Sequence, residues 1–156
     1  MLILGIDPGS HIVGYGLLDY VNGRYTAGNY GTLQVPPGTG MGDALISIYA
    51  DMTQLLEMLQ PDLMVVEQLF FFRNVSTAMS VAQARGVILL TGRQKEIPLA
   101  EYTPMQVKMT LTGHGRASKR DVQEMVKELL GLEKIPRPDD AADALAIAIT
   151  HAHYLG

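Results

Sequence analysis

Residues 63–66 form a short, continuously apolar run, Leu-Met-Val-Val, which ends at the carboxylate of Glu67. An apolar run of this length without alternation is typical of a strand that is covered on both faces. Such strands occur in sheets that have helices packed against each side, so this run favours an α/β layer arrangement. A second run of the same kind, residues 2–6, ends at Asp7. The sequence therefore predicts two buried strands, each followed by an acid.

Turn signals around the first run predict an antiparallel meander. Residues 11–20 and 25–35 alternate well enough to form strands, and the Asn-Gly pair of "VNGR" between them suits a tight hairpin. Apolar residues at helical spacing over residues 42–59 then predict an amphipathic helix, which Pro61 ends. We expect the strand at residues 62–68 to follow this helix.

The second half of the chain contains mostly helix signals. We expect a helix rich in Ala and Gly that begins at a cap, Asn74 or Ser76, and ends near residue 94. The segments "IPLAEY", "TPMQ" and "SKRDVQEMVKELLG" predict a fifth strand and two helices with capping boxes, and a last helix begins near Pro138. The predicted fold is a five-stranded mixed sheet, an antiparallel meander plus parallel strands, with helices on both faces. We expect residues 1–156 to form a single domain.

The distribution of charge is more informative than the net charge of −4. Residues 104–137 carry seven Lys or Arg and four Asp or Glu, a local charge of +3, whereas the rest of the chain carries −7. Within residues 102–120 there are four basic residues and no acid. A basic segment on an acidic body indicates a nucleic-acid contact, although a solvated loop is the more common meaning of such a cluster.

Composition excludes several other classes of protein. There is no cysteine, so disulfides and thiolate metal sites are excluded. The opening "MLILGIDPGS" lacks the basic start of a signal peptide, and no uncharged apolar run approaches the length of a membrane span. We therefore expect a cytoplasmic protein that does not contact the membrane.

Four acids occupy positions that suggest a shared site. Asp7 and Glu67 follow predicted strands, and Asp140 and Asp143 are three residues apart, on one face of the last helix. Each has an ordinary alternative: Asp7 as a turn residue, Glu67 as the end of a strand, and Asp140 as a helix cap with Asp143 favoured by the helix dipole. Asp139 is interpreted only as an exposed neighbour or an alternative cap.

Convergence of these carboxylates would require a cation. Two unit charges about 4 Å apart repel by about 4 kcal/mol at an effective dielectric constant near 20. Divalent ions remove this repulsion, and Mg²⁺ prefers carboxylate and water oxygens. A pair of such ions about 3.5–4 Å apart serves phosphodiester hydrolysis in two-metal enzymes. The acids therefore predict a metal-dependent phosphodiesterase.

The segments "ILGIDPGSHIVGYG", "VVEQLFFFRN", "AQARGV", "YTPMQVK" and "DDAADALAIAITH" resemble, in order and spacing, the RuvC family of Holliday-junction resolvases. The resemblance covers essentially the whole chain. It implies a ribonuclease H-like fold and a structure-selective endonuclease that resolves four-way DNA junctions by paired symmetric nicks in recombination and repair. It assigns Asp7, Glu67, Asp140 and Asp143 as catalytic and metal-binding residues for two Mg²⁺ ions, with Mn²⁺ as an alternative ion.

The resemblance also implies how DNA is held. Phe70 matches the aromatic residue that stacks near the junction crossover, and Arg73, Lys108 and Lys119 match basic residues of the DNA-binding segments. We add Arg116 and Arg120 because they belong to the same basic stretch, which would hold phosphates rather than read bases. Lys119 is also a candidate for stabilising charge at the scissile phosphate.

The family further implies a homodimer, for which the helix over residues 75–92 is the expected surface, and partnership with the RuvA and RuvB branch-migration complex. Three alternatives are less consistent with the sequence. An ATPase of the actin and sugar-kinase type needs two lobes, and 156 residues supply one. A non-catalytic nucleic-acid module does not need the four acids. A nuclease of ribosomal RNA precursors does not fit the Phe70 and "AADALA" context.

Overall fold

The computed structural model describes residues 1–68 and 75–156, with only the backbone described at Val75 and Ser76. Phe70, Arg73 and the expected cap at Asn74 or Ser76 therefore lie outside the described residues or side chains. The elements run in the predicted order, and their bounds are β1 Leu2–Asp7, β2 Ile12–Val21, β3 Arg24–Gln34, α1 Met41–Leu59, β4 Leu63–Glu67, α2 Val75–Gln94, β5 Leu99–Tyr102, α3 Pro104–Thr112, α4 Lys119–Leu129 and α5 Asp139–Leu155.

The five strands form one mixed sheet in the order β3-β2-β1-β4-β5. β1, β2 and β3 are the expected antiparallel meander, and Asn22 and Gly23 both have positive φ in the turn that joins the last two. β4 runs parallel to β1, and β5 runs parallel to β4. The carboxyl ends of β1, β4 and β5 therefore lie at the same edge of the sheet.

Helices cover both faces of the sheet, as predicted. One core joins Leu4, Ile6 and Met64 to the apolar residues of α1 and α2. A second core joins Ile3 and Val65 to α3, α4 and α5. The alternation along β1 and β4 places neighbouring residues in opposite cores, which explains why these strands are apolar throughout.

Two helix starts follow the predicted capping chemistry, and a third does not. Thr103 and Gln106 form a capping box at α3, and Ser118 and Asp121 form another at α4. At α5 the cap position is Pro138, with no side-chain cap hydrogen bond. The interpretation of Asp139 or Asp140 as a helix cap is therefore wrong, because both residues lie inside the first turn.

No helix among the described residues is long and apolar enough to cross a membrane.

Candidate active site

Three carboxylates meet at the carboxyl end of β1. Asp7, Asp140 and Asp143 can each offer one oxygen such that all three oxygens lie within 4.8 Å of one another. β1 supplies the first, and the first two turns of α5 supply the other two. The three-residue spacing of Asp140 and Asp143 places both on the side of α5 that faces β1. The structure thus brings together three of the four predicted acids.

Glu67 joins this group through the parallel pairing of β1 and β4. Ile6 is in register with Val66, so Asp7 and Glu67 are the next residues of adjacent strands. Their carboxyl groups share a hydrogen bond. All four predicted acids therefore lie in one cluster, which we call the acid cluster: Asp7, Glu67, Asp140 and Asp143.

The acid cluster is unfavourable as a set of bare charges. Burial raises the pKa of Asp7 to about 9, and the charges of Glu67, Asp143 and Asp140 add to this effect. Burial also raises the pKa of Glu67, partly offset by the hydrogen bond to Asp7. Burial likewise raises the pKa of Asp143, which Lys119 partly offsets. Without further positive charge, Asp7 therefore keeps its proton at neutral pH.

Two lysines face the acid cluster across a cleft of about 220 Å³. The Nζ atom of Lys119 lies 3.3 Å from Oδ2 of Asp143, and this lysine side chain is still 57% exposed. Burial acts to lower the pKa of Lys119, but the nearby carboxylates, Asp143 first, outweigh it and raise the pKa. Lys108 lies on α3 and lines the same cleft as Glu67. A phosphate entering this cleft would lie between two ammonium groups and the carboxylates.

The other predicted DNA-binding residues are placed differently. Arg116 is exposed on the loop between α3 and α4. The Nη2 atom of Arg120 lies 3.0 Å from Glu124, one turn further along α4, and Arg120 lines a different cleft. Asp139 pairs with Arg137 at 2.7 Å and is not among the three aspartates that converge.

Sequence reasoning identified the small alanines of α5 as the residues that let this helix approach the sheet, but it did not identify the strand glycines that meet the helix there. A Cβ atom on Gly14 would collide with the backbone carbonyl oxygen of Asp140, and one on Gly5 would collide with that of Ala144. Because Gly14 is paired with Asp7, this close approach sets the separation between Asp7 and Asp140. The detectable signal was the pair of strand glycines, Gly14 and Gly16, on one face.

Arg85 was also missed, although the segment "AQARG" was noted. Its Nε atom donates to the backbone oxygen of Glu67 at 3.1 Å, and its Nη2 atom lies 2.7 Å from Oε1 of Glu101. This partly buried side chain joins α2 to the carboxyl end of β4 and to β5. A long-range contact of this kind has no signature in the spacing of one sequence.

A mixed sheet of this order, with carboxylates gathered at the ends of its central strands, defines a nuclease with a ribonuclease H-like fold. The profile of the family described as crossover junction endodeoxyribonuclease RuvC matches residues 3–151. The chain belongs to this family and is an endodeoxyribonuclease.

Known relatives resemble the chain over nearly its whole length. A crossover junction endodeoxyribonuclease RuvC of Fusobacterium nucleatum is 48% identical over 156 residues, which is all of this chain and 82% of that protein. The protein of the same name from Moorella thermoacetica is 53% identical, covering 99% of this chain and 92% of the relative. A solved structure described as T. thermophilus RuvC in complex with Holliday junction substrate has a TM-score of 0.92 and 36% identity, covering 99% and 94% of the two chains.

Proposed function

We propose that this protein resolves four-way DNA junctions by paired symmetric nicks, as a hydrolase of phosphodiester bonds in recombination and repair. The observation that carries the proposal is the acid cluster at the sheet edge, with Lys108 and Lys119 facing it across one cleft. Carboxylates and ammonium groups around a cleft suit a phosphodiester substrate, because the cations bind phosphate and the acids bind divalent ions. The similar T. thermophilus protein was solved with a Holliday junction.

Asp7, Glu67, Asp140 and Asp143 are the residues that we propose to hold two Mg²⁺ ions, with Mn²⁺ as an alternative. The residues fit such ions: the donors are all carboxylate oxygens, and three of them come within 4.8 Å of one another. Burial, together with the charges of neighbouring acids, raises the pKa of Asp7 to about 9, and a cation would relieve both effects. When bound, these ions stabilise the negative charge that develops on the phosphate oxygens. The carboxylates position the ions, and Lys119 orients the carboxylate of Asp143 through their ion pair.

DNA contacts are proposed for six residues. Lys108 and Lys119 bind the phosphates at the cleft because both line it beside the carboxylates. Arg116 is exposed on the loop between α3 and α4, Arg120 is exposed on the first turn of α4, and both are proposed to contribute affinity at neighbouring phosphates. Phe70 and Arg73, which follow Glu67 in the sequence, are proposed to stack on bases at the crossover and to bind phosphate, respectively.

A homodimer is proposed on the basis of the outer face of α2. Met79, Gln83, Gly86 and Leu90 recur at helical spacing and are exposed, and the two large apolar side chains are 58% and 51% accessible. Two large exposed apolar side chains on one helix face support a covered surface in the assembled protein. A two-fold dimer would present two identical sites to a junction that has approximate two-fold symmetry.

The remaining expectations stay part of this proposal. Residues 1–156 act as a single nuclease domain, the protein works in the cytoplasm, and it receives junctions from the RuvA and RuvB branch-migration complex. Membership of the family supports these points.

A synthetic four-way junction tests the function. With Mg²⁺ present, we expect two nicks at symmetry-related positions on opposing strands, and the nicked products should be sealed by DNA ligase. Linear duplexes of the same arm sequences are the matched control and should be cut far more slowly. Cleavage of linear duplex at a rate equal to that of the junction, or ends that ligase cannot seal, would contradict the proposal.

A further inference from the structure

A second cleft, beside α4, is lined mainly by positively charged side chains. Arg120, Lys127, Lys134 and Arg137 line it together with Glu124 and Ile135, and its volume is about 340 Å³. Four cations and one acid give the lining a charge of +3 on a chain whose net charge is −4. We call these six lining residues the α4 cleft. A concentration of positive charge on an acidic molecule indicates a binding surface for a polyanion.

Internal ion pairs neutralise only part of this charge. Glu124 is shared by Arg120 at 3.0 Å and Lys127 at 3.9 Å, so one carboxylate serves two cations. Arg137 pairs with Asp139 at 2.7 Å. Lys134 is exposed and has no ion pair within the described residues. Exposed pairs of this kind are weak, and their cations exchange readily to a phosphate.

The α4 cleft adjoins a cleft that includes one member of the acid cluster, Asp140. Arg137 lines the α4 cleft and also a neighbouring cleft formed with Pro138, Asp139 and Asp140. A DNA strand held at the acid cluster can therefore pass Asp140 and reach the cations of α4 without leaving the protein surface. The surface fits duplex better than single-stranded DNA, since the lining has no aromatic side chain on which an unpaired base could stack.

Resting on the proposed junction-resolving function, we propose that the α4 cleft binds the phosphate backbone of a duplex arm that leads away from the cut site. Lys127 and Lys134 are the cations that belong to this contact and to no part of the active site. Their contribution is electrostatic and independent of sequence, so it supplies affinity and orientation of the arm rather than choice of the bases that are cut.

The test compares two double variants with the same net charge. Lys127→Gln with Lys134→Gln removes two cations from the α4 cleft. Arg24→Gln with Lys95→Gln is the matched control. Arg24 is exposed at the start of β3, and Lys95 is exposed directly after α2, so both lie near the edge of the sheet opposite the acid cluster. Junction binding is measured by fluorescence anisotropy without divalent ions over a range of salt. The junctions have arms of about two helical turns or about half a turn.

With long arms, we expect the α4-cleft variant to bind roughly tenfold more weakly than the wild type at 0.1 M salt. The slope of the logarithm of the binding constant against the logarithm of the salt concentration should become shallower by about 1 to 2. With short arms the α4-cleft variant should bind as the wild type does, and the control variant should bind as the wild type does on both junctions. Equal losses in the two variants, equal losses on both arm lengths, or no loss at all would each overturn the proposal. If the wild type itself shows no preference for junctions over duplex, the proposed function fails, and this proposal fails with it.

Discussion

Asp7 lies where β1 ends, in contact with three other carboxyl groups and partly out of water. A carboxyl group in this position is stable in two ways: it keeps its proton, or a cation joins the cluster. Burial and the neighbouring charges raise the pKa of Asp7 to about 9, so in the metal-free protein Asp7 keeps its proton at neutral pH. The thermal stability of the metal-free protein should therefore depend on the protonation of Asp7.

Replacement of Asp7 by Asn should stabilise the metal-free protein. Between pH 4 and pH 9 the folded protein binds a proton at Asp7 that the unfolded chain has released, so wild-type stability falls as the pH rises through this window. Asn does not titrate, so Asp7→Asn should raise Tm in EDTA by on the order of 5 °C at pH 8. The difference from wild type should shrink toward pH 4.

Thermal melts in EDTA at several pH values check this expectation. Asp51→Asn on α1 is the matched control, because it makes the same change of side chain away from the acid cluster. An Asp7→Asn variant that is less stable than wild type at pH 8, or a difference that grows toward acid, would contradict the assignment of Asp7 to a group of crowded carboxylates.

At the scale of elements, the site depends on how closely α5 approaches the sheet. The first two turns of α5 carry Asp140 and Asp143, and its buried alanines, such as Ala141 and Ala144, leave little side chain between the helix and the strands. Gly14 completes the contact, because its hydrogen faces the backbone of Asp140. The separation of Asp7 from Asp140 is thus set by backbone packing.

Gly14→Ala should reduce both stability and cleavage. Its methyl group would push α5 away at Asp140, and overpacking of this kind costs about 1–3 kcal/mol. We expect a fall in Tm of about 5 °C. Mg²⁺ should also bind more weakly, so the cleavage rate should rise less at low Mg²⁺ concentrations than it does in the wild type. Gly42→Ala on α1 is the control: its Cβ meets no atom within 4 Å, and it should raise stability slightly. Normal Mg²⁺ dependence in Gly14→Ala would show that this contact does not set the site.

The success of the sequence-based predictions varied with the range of the interaction. The element order, the turn at Asn22 and the capping box at Thr103 follow from local chemistry, and they were predicted from a few neighbouring residues. The suggestion that Asp140 caps α5 was wrong, because the cap position is Pro138, two residues before Asp140, and Asp140 lies inside the first turn. The Arg85 bridge joins elements that are distant in the sequence, and no spacing rule reveals it. The α4 cleft is different, because its lining falls within residues 104–137, whose local charge of +3 was visible in the sequence.

At the scale of the whole molecule, negative and positive charges occupy separate regions around the carboxyl ends of the parallel strands. The acid cluster is at the carboxyl ends of β1 and β4, Lys108 and Lys119 lie across the cleft, and the cations of α4 continue beyond Asp140. A net charge of −4 alone would disfavour DNA, but metal ions at the cluster would reduce the negative charge where the phosphate enters. We propose that this arrangement makes binding and cutting separable, with the basic residues providing binding and the acids needed for cutting.

The most direct measurement of that separation is junction binding and junction cleavage by Asp7→Asn in parallel. The account predicts that this variant binds a four-way junction within about twofold of wild type without metal, because Asp7 makes no contact that adds affinity for phosphate. It also predicts that cleavage with Mg²⁺ falls at least roughly 100-fold. A folded Asp7→Asn variant that cuts the junction as fast as wild type would contradict the assignment of the acid cluster as the catalytic metal site.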